Sequence, residues 1–136
     1  MIAMLRTITL VCFTAACSFA ADTDSVARGK YLAEEVAKCQ DCHTPRTETG
    51  DLDKSKWLKG ATLDFAPIHE VKGWHKTSPD LTSAGALFAR WKEAGLVKFL
   101  ETGLNPRGNK ADPPMPAYNM KHEDAQAIVD YLKTLQ

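Results

Sequence analysis

Residues 39–43 read Cys39-Gln40-Asp41-Cys42-His43, two thiols three positions apart with an imidazole directly after the second. That is the spacing of covalent c-type haem attachment. Each thiol can take one vinyl group of the same porphyrin, and the adjoining imidazole can bind the iron as an axial ligand. The same thiols have other uses. A close cysteine pair can act as a redox dithiol when a pKa is depressed, or supply half of a zinc site. The first would normally sit in a βαβ pattern, which is missing, and the second needs two more ligands at short spacing, where no second cysteine pair exists.

A six-coordinate iron needs a second axial donor from elsewhere in the chain. Met115, Met120, His69 and His75 are the residues to compare. Met115 lies between Pro114 and Pro116, whose fixed φ angles hold the segment stiff and present a thioether with little further loss of chain entropy. Met120 borders the last helical pattern, where methionine commonly fills a core. His69 and His75 fall in an irregular segment, where a lone histidine is usually just exposed.

These residues must be positioned by a small number of elements. From Asp24 to Lys38, Val26, Gly29, Leu32, Ala33, Val36 and Ala37 recur at three and four, the stripe of an amphipathic helix with Asp24 or Ser25 as its cap. Gly29 within it costs about 1 kcal/mol relative to alanine; a close helix crossing would explain it, and a weak helix position is the alternative. Residues 44–82 show no convincing helix and no strand alternation. A stretch that long is uncommon in a compact domain unless something organises it. A haem would do so, with Trp57, Leu58, Leu63, Phe65, Ile68 and Trp74 covering its edge and faces; a small satellite core is the other reading. Ala84, Leu87, Phe88 and Trp91, then Leu96, Val97 and Leu100, predict a helical turn followed by a helix of about ten residues ending near Thr102, with one continuous helix as the alternative. Residues 103–119 are loop. Ala125, Ile128, Val129, Leu132 and Leu135 make the clearest stripe, with Glu123 and Asp124 placed to favour a helix amino end.

The chain has 136 residues, enough for one domain, and balances 17 Lys+Arg against 17 Asp+Glu. Nothing in that balance points to nucleic acid or an anionic membrane. Residues 44–110 hold eleven Lys/Arg against eight Asp/Glu, which reads as a solvated mixed surface and not a dedicated docking patch. Arg6 precedes an apolar run from Ile8 to Ala21, and Ser18-Phe19-Ala20 offers the small residues a signal peptidase reads, so residues 1–20 are expected to be a secretory leader and 21–136 one exported, periplasmic domain. The run is short for a membrane span and diluted by Thr9, Thr14 and Ser18. Membrane association would need an uncleaved leader or lipid on Cys17 after Thr14-Ala15-Ala16. Cleavage removes Cys12 and Cys17 and leaves Cys39 and Cys42, a pair that in an exported protein would otherwise invite a disulfide.

The segments GKYLAEEVAKCQDCHTPR near the start and PPMPAYNMKHEDAQAIVDYLKTL at the end, joined by a long loop, resemble a small monohaem class I cytochrome c of the bacterial exported kind. The resemblance covers nearly all of the expected mature chain. It implies an all-α cytochrome c fold, about three to five helices around one covalently bound haem c, with the first and last helices crossing. It implies thioethers at Cys39 and Cys42, proximal ligation by His43, distal ligation by the Met115 sulfur, and Gly29 meeting Ile128 and Tyr131. Two positions depart from the family pattern: Asp80 stands where Asn is common, and Lys121 where a Ser, Thr or Asn would cap the last helix. His/Met ligation in an apolar pocket raises the potential, and a fully ligated iron leaves no open position for substrate, so the expectation is an electron carrier between redox partner proteins and not an enzyme. The alternatives are a haem subunit of a periplasmic dehydrogenase or oxidase complex, or a haem enzyme or gas sensor with a displaceable Met115.

Overall fold

A computed structural model describes residues 18–136. The expected leader, with Cys12 and Cys17, lies outside the described residues but for its last three positions. Among the described residues no helix is long and apolar enough to cross a membrane.

Helix α1 runs Ser18–Tyr31, starting six residues before the expected Asp24, because the sequence between them holds no glycine or proline to stop a helix. Neither proposed cap acts as one: Asp24 lies inside the helix, and Ser25 Oγ donates to Asp130 Oδ2 at 2.7 Å. After Tyr31 the helix widens into a π-type turn, Leu32–Val36, and the chain breaks at Lys38, whose backbone is left-handed (φ 53°, ψ 40°). That break lets α2, Cys39–His43, start in a new direction.

The long segment after His43 holds a single 3₁₀ turn, Lys54–Lys56, and a two-residue antiparallel ribbon of β1 (Ala61–Thr62) with β2 (Thr77–Ser78). Its apolar residues do not act together. Leu58 is fully buried in the core with Trp57 packed against it, and Leu63 reaches the cavity described below. Phe65 instead meets Trp74 edge-on at 5.8 Å, and Ile68 is 96% exposed. Of the six only Leu63 lines that cavity, so the expectation that all six cover one buried group fails for the rest: Trp57 and Leu58 serve the core, Phe65 and Trp74 meet each other, and Ile68 is exposed.

α3 spans Ala86–Thr102 but is broken at Lys92 (φ 58°, ψ 172°), which is the short turn plus ten-residue helix read from the sequence. Gly103 ends it with φ 68°, a left-handed closure that suits glycine, and its N–H donates to the Phe99 carbonyl. α4, His122–Lys133, buries Ala125, Ile128, Val129 and Leu132 in the core. As the departure at Lys121 suggested, no side chain caps its start; Glu123 and Asp124 in the first turn offset the orphan amides electrostatically.

α1 crosses α4 at Gly29, where an added Cβ would lie 1.8 Å from the Ala127 carbonyl oxygen and 3.0 Å from the Ile128 nitrogen. A close crossing is thus the reason for the glycine. Its partners are Ala127 and Ile128, while Tyr131 turns its hydroxyl to Glu34. The described residues are mostly helical, as expected, with the small ribbon and two isolated bridges, Arg46 to Leu52 and Leu104 to Lys110, added.

Candidate functional site

The segment carrying the two thiols is held by hydrogen bonds on both sides. Gly60 N–H donates to the His43 carbonyl at 2.8 Å, and Ser78 Oγ to the Cys42 carbonyl at 2.6 Å. Gly60 has φ 83°, and a Cβ there would stand 2.8 Å from the Ser78 oxygen, so only glycine lets the ribbon approach. Leu58 pins the next layer: its N–H donates to Thr44 Oγ1 at 2.9 Å and its carbonyl accepts from Leu81 N–H at 2.9 Å. α2 and the chain from Pro79 to Thr82 are thereby fixed relative to one another.

That arrangement sets the His43 ring. The imidazole is 5% exposed, and its Nδ1 lies 2.8 Å from the Pro79 carbonyl oxygen, which accepts a hydrogen bond from it. Fixing the proton at Nδ1 leaves Nε2 with a free lone pair, the tautomer a metal-binding imidazole requires. Burial disfavours the charged ring and lowers its pKa, and the Pro79 bond only partly opposes this. Pro79 was not legible as a site residue because it acts through its backbone; no side-chain signal marks it.

Beside His43 opens a cavity of about 550 Å³. Cys39, Cys42, His43 and Met115 all line it, and Leu81, Leu87, Leu96, Leu100, Ile128 and Leu132 make much of its wall. Of the four candidate donors, Met115 and His75 reach the cavity, but His75 Nε2 is engaged by Asp112 Oδ2 at 3.3 Å. Met120 packs against the core, and His69 is exposed away from the cavity. Tyr118 also lines the wall, with its hydroxyl donating to the Ala37 carbonyl at 3.1 Å.

The two cysteines are free thiols. Burial pushes the Cys39 pKa up to about 11 and raises that of Cys42, where the Asp41 carboxylate adds to the effect. Reactive dithiols have the opposite property, a pKa well below the ordinary thiol range. No cluster of three or more His, Cys, Asp or Glu side chains suited to a metal ion occurs among the described residues.

A profile of the family described as Cytochrome c matches residues 26–136. The chain belongs to the cytochrome c family. Among curated relatives it is 35% identical over 111 residues to a diheme cytochrome c-type protein of Cereibacter sphaeroides, covering 78% of this chain and 34% of that one. It is 30% identical to the fructose dehydrogenase cytochrome subunit of Gluconobacter japonicus (79% and 21% covered). It is 33% identical to the gluconate 2-dehydrogenase cytochrome c subunit of Pantoea cypripedii (85% and 27%). The chain thus spans about a third or less of the length of these relatives.

Membership implies covalent haem c and electron transfer. The residues present fit such a group. The cavity lies within the range of cofactor pockets, its wall is largely apolar, and two free thiols, an imidazole with one nitrogen already committed, and a thioether all face it.

Proposed function

We propose that this protein transfers electrons through a single haem c, held by thioethers from Cys39 and Cys42, with His43 and Met115 as the axial ligands. The observation that carries the reading is the committed Nδ1 of His43, 2.8 Å from the Pro79 oxygen, on the same cavity wall as both thiols and Met115. Bound haem c supplies one-electron exchange at its iron, between ferric and ferrous states. Every other part of the task falls to the chain. Pro79 orients the imidazole and raises its basicity as a donor. Met115 is presented on a proline-stiffened loop, with its N–H donating to the Asp112 carbonyl at 3.2 Å. The leucine-rich wall excludes water and disfavours added charge, which raises the potential. With His43 and Met115 both given to the group, no donor position would be left open to a substrate, so the chain is proposed to carry electrons without catalysing a reaction of its own.

Mass spectrometry of the purified protein together with its absorption spectra tests this. The expected mass is that of residues 21–136 plus one haem, with a weak methionine-sulfur band in the oxidised form; a second haem, or none, refutes the single-haem reading. The same mass tests the proposed export and removal of residues 1–20.

A second reading concerns the partner. The relatives named as subunits of fructose and gluconate 2-dehydrogenases favour a role as the electron-accepting part of a periplasmic dehydrogenase complex over free diffusion between partners. Purification of the tagged protein from its native cells distinguishes them: a stoichiometric dehydrogenase supports the subunit, and a monodisperse single chain supports the shuttle.

A further inference from the structure

Three hydrogen bonds join residues 113–120, which carry Met115, to elements remote in sequence. His75 N–H donates to the Pro113 carbonyl at 2.8 Å, Met120 N–H to the Leu100 carbonyl at 3.1 Å, and the Tyr118 hydroxyl to the Ala37 carbonyl at 3.1 Å. The first two fasten the segment to the chain before β2 and to α3. Among the described residues only the Tyr118 bond reaches the half of the protein that carries Cys39, Cys42 and His43.

The acceptor of that bond is made by the break in the chain. Ala37 closes the π-type turn, with its N–H donating to the Leu32 carbonyl at 2.8 Å, and the left-handed Lys38 follows. Past the break Asp41 N–H goes to the Lys38 carbonyl at 3.1 Å, and among the described residues no backbone amide donates to the carbonyl of Ala37. Helix ends leave such orphan carbonyls, and here the phenol supplies the donor. Burial pushes the Tyr118 phenol up to about 12, so it keeps its proton at neutral pH. Its side chain lies on the cavity wall that Ala37, Lys38, Cys39 and Met115 also line. The end of α3 closes on the same segment, where a Cβ at Gly103 would stand 2.7 Å from the Ala117 Cβ. Pro114 and Pro116 stiffen the span, so a shift of Tyr118 is passed on to Met115, three residues away.

We infer that Tyr118 is a positioning residue for the distal ligand: its hydroxyl, bonded to the Ala37 carbonyl, clasps the Met115 segment to the thiol-bearing half of the protein and holds the thioether in place across the cavity. The inference rests on the reading of Met115 as an axial ligand. A methionine sulfur carries no charge to hold it to a metal, so its residence there depends on how firmly the chain presents it. Without the hydroxyl the Ala37 carbonyl is left unpaired, and the segment stays fastened only at Pro113 and Met120. The fraction of molecules with Met115 withdrawn then rises, while the fold keeps its other ties.

The test is the rate at which the ferrous holoprotein binds carbon monoxide, which follows the fraction with Met115 withdrawn, together with the methionine-sulfur band of the oxidised form. Tyr118→Phe keeps the ring and loses the donor. It is expected to bind about fivefold faster than wild type, the factor that one net hydrogen bond represents, and to weaken the band. Tyr131→Phe is the control, because its hydroxyl is also hydrogen-bonded, to Glu34, but does not line this cavity; it is expected to lower thermal stability and leave the rate unchanged. In a Met115→Ala background the Tyr118→Phe change is expected to have no effect on the rate, as a residue acting through Met115 requires. A Tyr118→Phe rate no faster than that of Tyr131→Phe overturns the inference and leaves the Met115 reading standing. An acceleration that persists without Met115 also overturns it, since Tyr118 is then a barrier to ligand entry. Wild-type protein that binds as fast as Met115→Ala overturns the Met115 reading and the inference with it.

Discussion

Replacing Gly29 by alanine should destabilise the protein, even though alanine is the better helix former. The added Cβ would lie 1.8 Å from the Ala127 carbonyl oxygen and 2.4 Å from its carbon. An ordinary carbon–oxygen contact is no shorter than about 3.3 Å, so α1 and α4 would have to part by roughly 1.5 Å at the crossing. Both opposing atoms are backbone, and no rotamer can relieve the clash. The propensity gain is about 1 kcal/mol. Overpacking costs typically about 1–3 kcal/mol, and this case belongs at or above the upper end, because the displaced helix carries Ile128 and Val129, both essentially unexposed. The net loss is about 2 kcal/mol or more, which for a domain of this size lowers Tm by about 8 °C. Thermal unfolding followed both by far-ultraviolet circular dichroism and by haem absorbance measures it. A Gly29→Ala protein as stable as wild type would refute the close crossing.

Three further outcomes are expected. Met115→Ala should abolish the methionine-sulfur band and let the ferrous protein bind carbon monoxide, which the wild type should resist; a wild type that binds it as fast would remove Met115 as the distal ligand. Leu58→Ala, at a site with no exposed surface, should cost about 2–5 kcal/mol in denaturant titration, and a loss below about 1 kcal/mol would mean that the Thr44 and Leu81 bonds hold that layer without the side chain. Burial raises the Glu34 carboxyl, but hydrogen bonds from Lys30, Tyr131 and Trp57 outweigh it and hold the pKa below the ordinary value. The stability it contributes is therefore present above the unfolded carboxylate pKa and lost as pH falls through the folded one. Glu34→Gln should flatten that acid limb, and an unchanged pH–stability profile would contradict the network.

What was legible in the sequence was local. Cys39, Cys42 and His43 are chemically distinctive and adjacent, and Met115 stands out by its flanking prolines, so their presence on one cavity follows from few assumptions. α4 was readable because one face is apolar and the other is not. Three features escaped because they depend on tertiary contacts. The left-handed backbone at Lys38, which separates the π-type turn from α2, has no glycine to announce it. Phe65, Ile68 and Trp74 read as covering residues, but hydrophobicity alone does not say which way a loop faces. The Pro79 carbonyl is a backbone atom, which no side-chain pattern marks.

The burial that suits the cavity to a porphyrin also decides what its cysteines cannot do. With the Cys39 thiol pushed up to about 11 by desolvation, only about one molecule in ten thousand carries that thiolate at pH 7. A dithiol catalyst needs the reverse, a pKa held down by helix amides or a cation; Cys39 does open α2, but desolvation outweighs the backbone hydrogen bond there. Here the neighbouring charge is Asp41, which raises the Cys42 pKa further. The Arg46 guanidinium lowers it by less, and that side chain is also engaged by Asp64 at 2.9 Å. The thiol pair is therefore poorly made for exchange with other disulfides. It is well placed to be consumed once, in bonds that need no later ionisation, while the leucine-rich wall that makes the free thiols inert keeps water from the group they would hold.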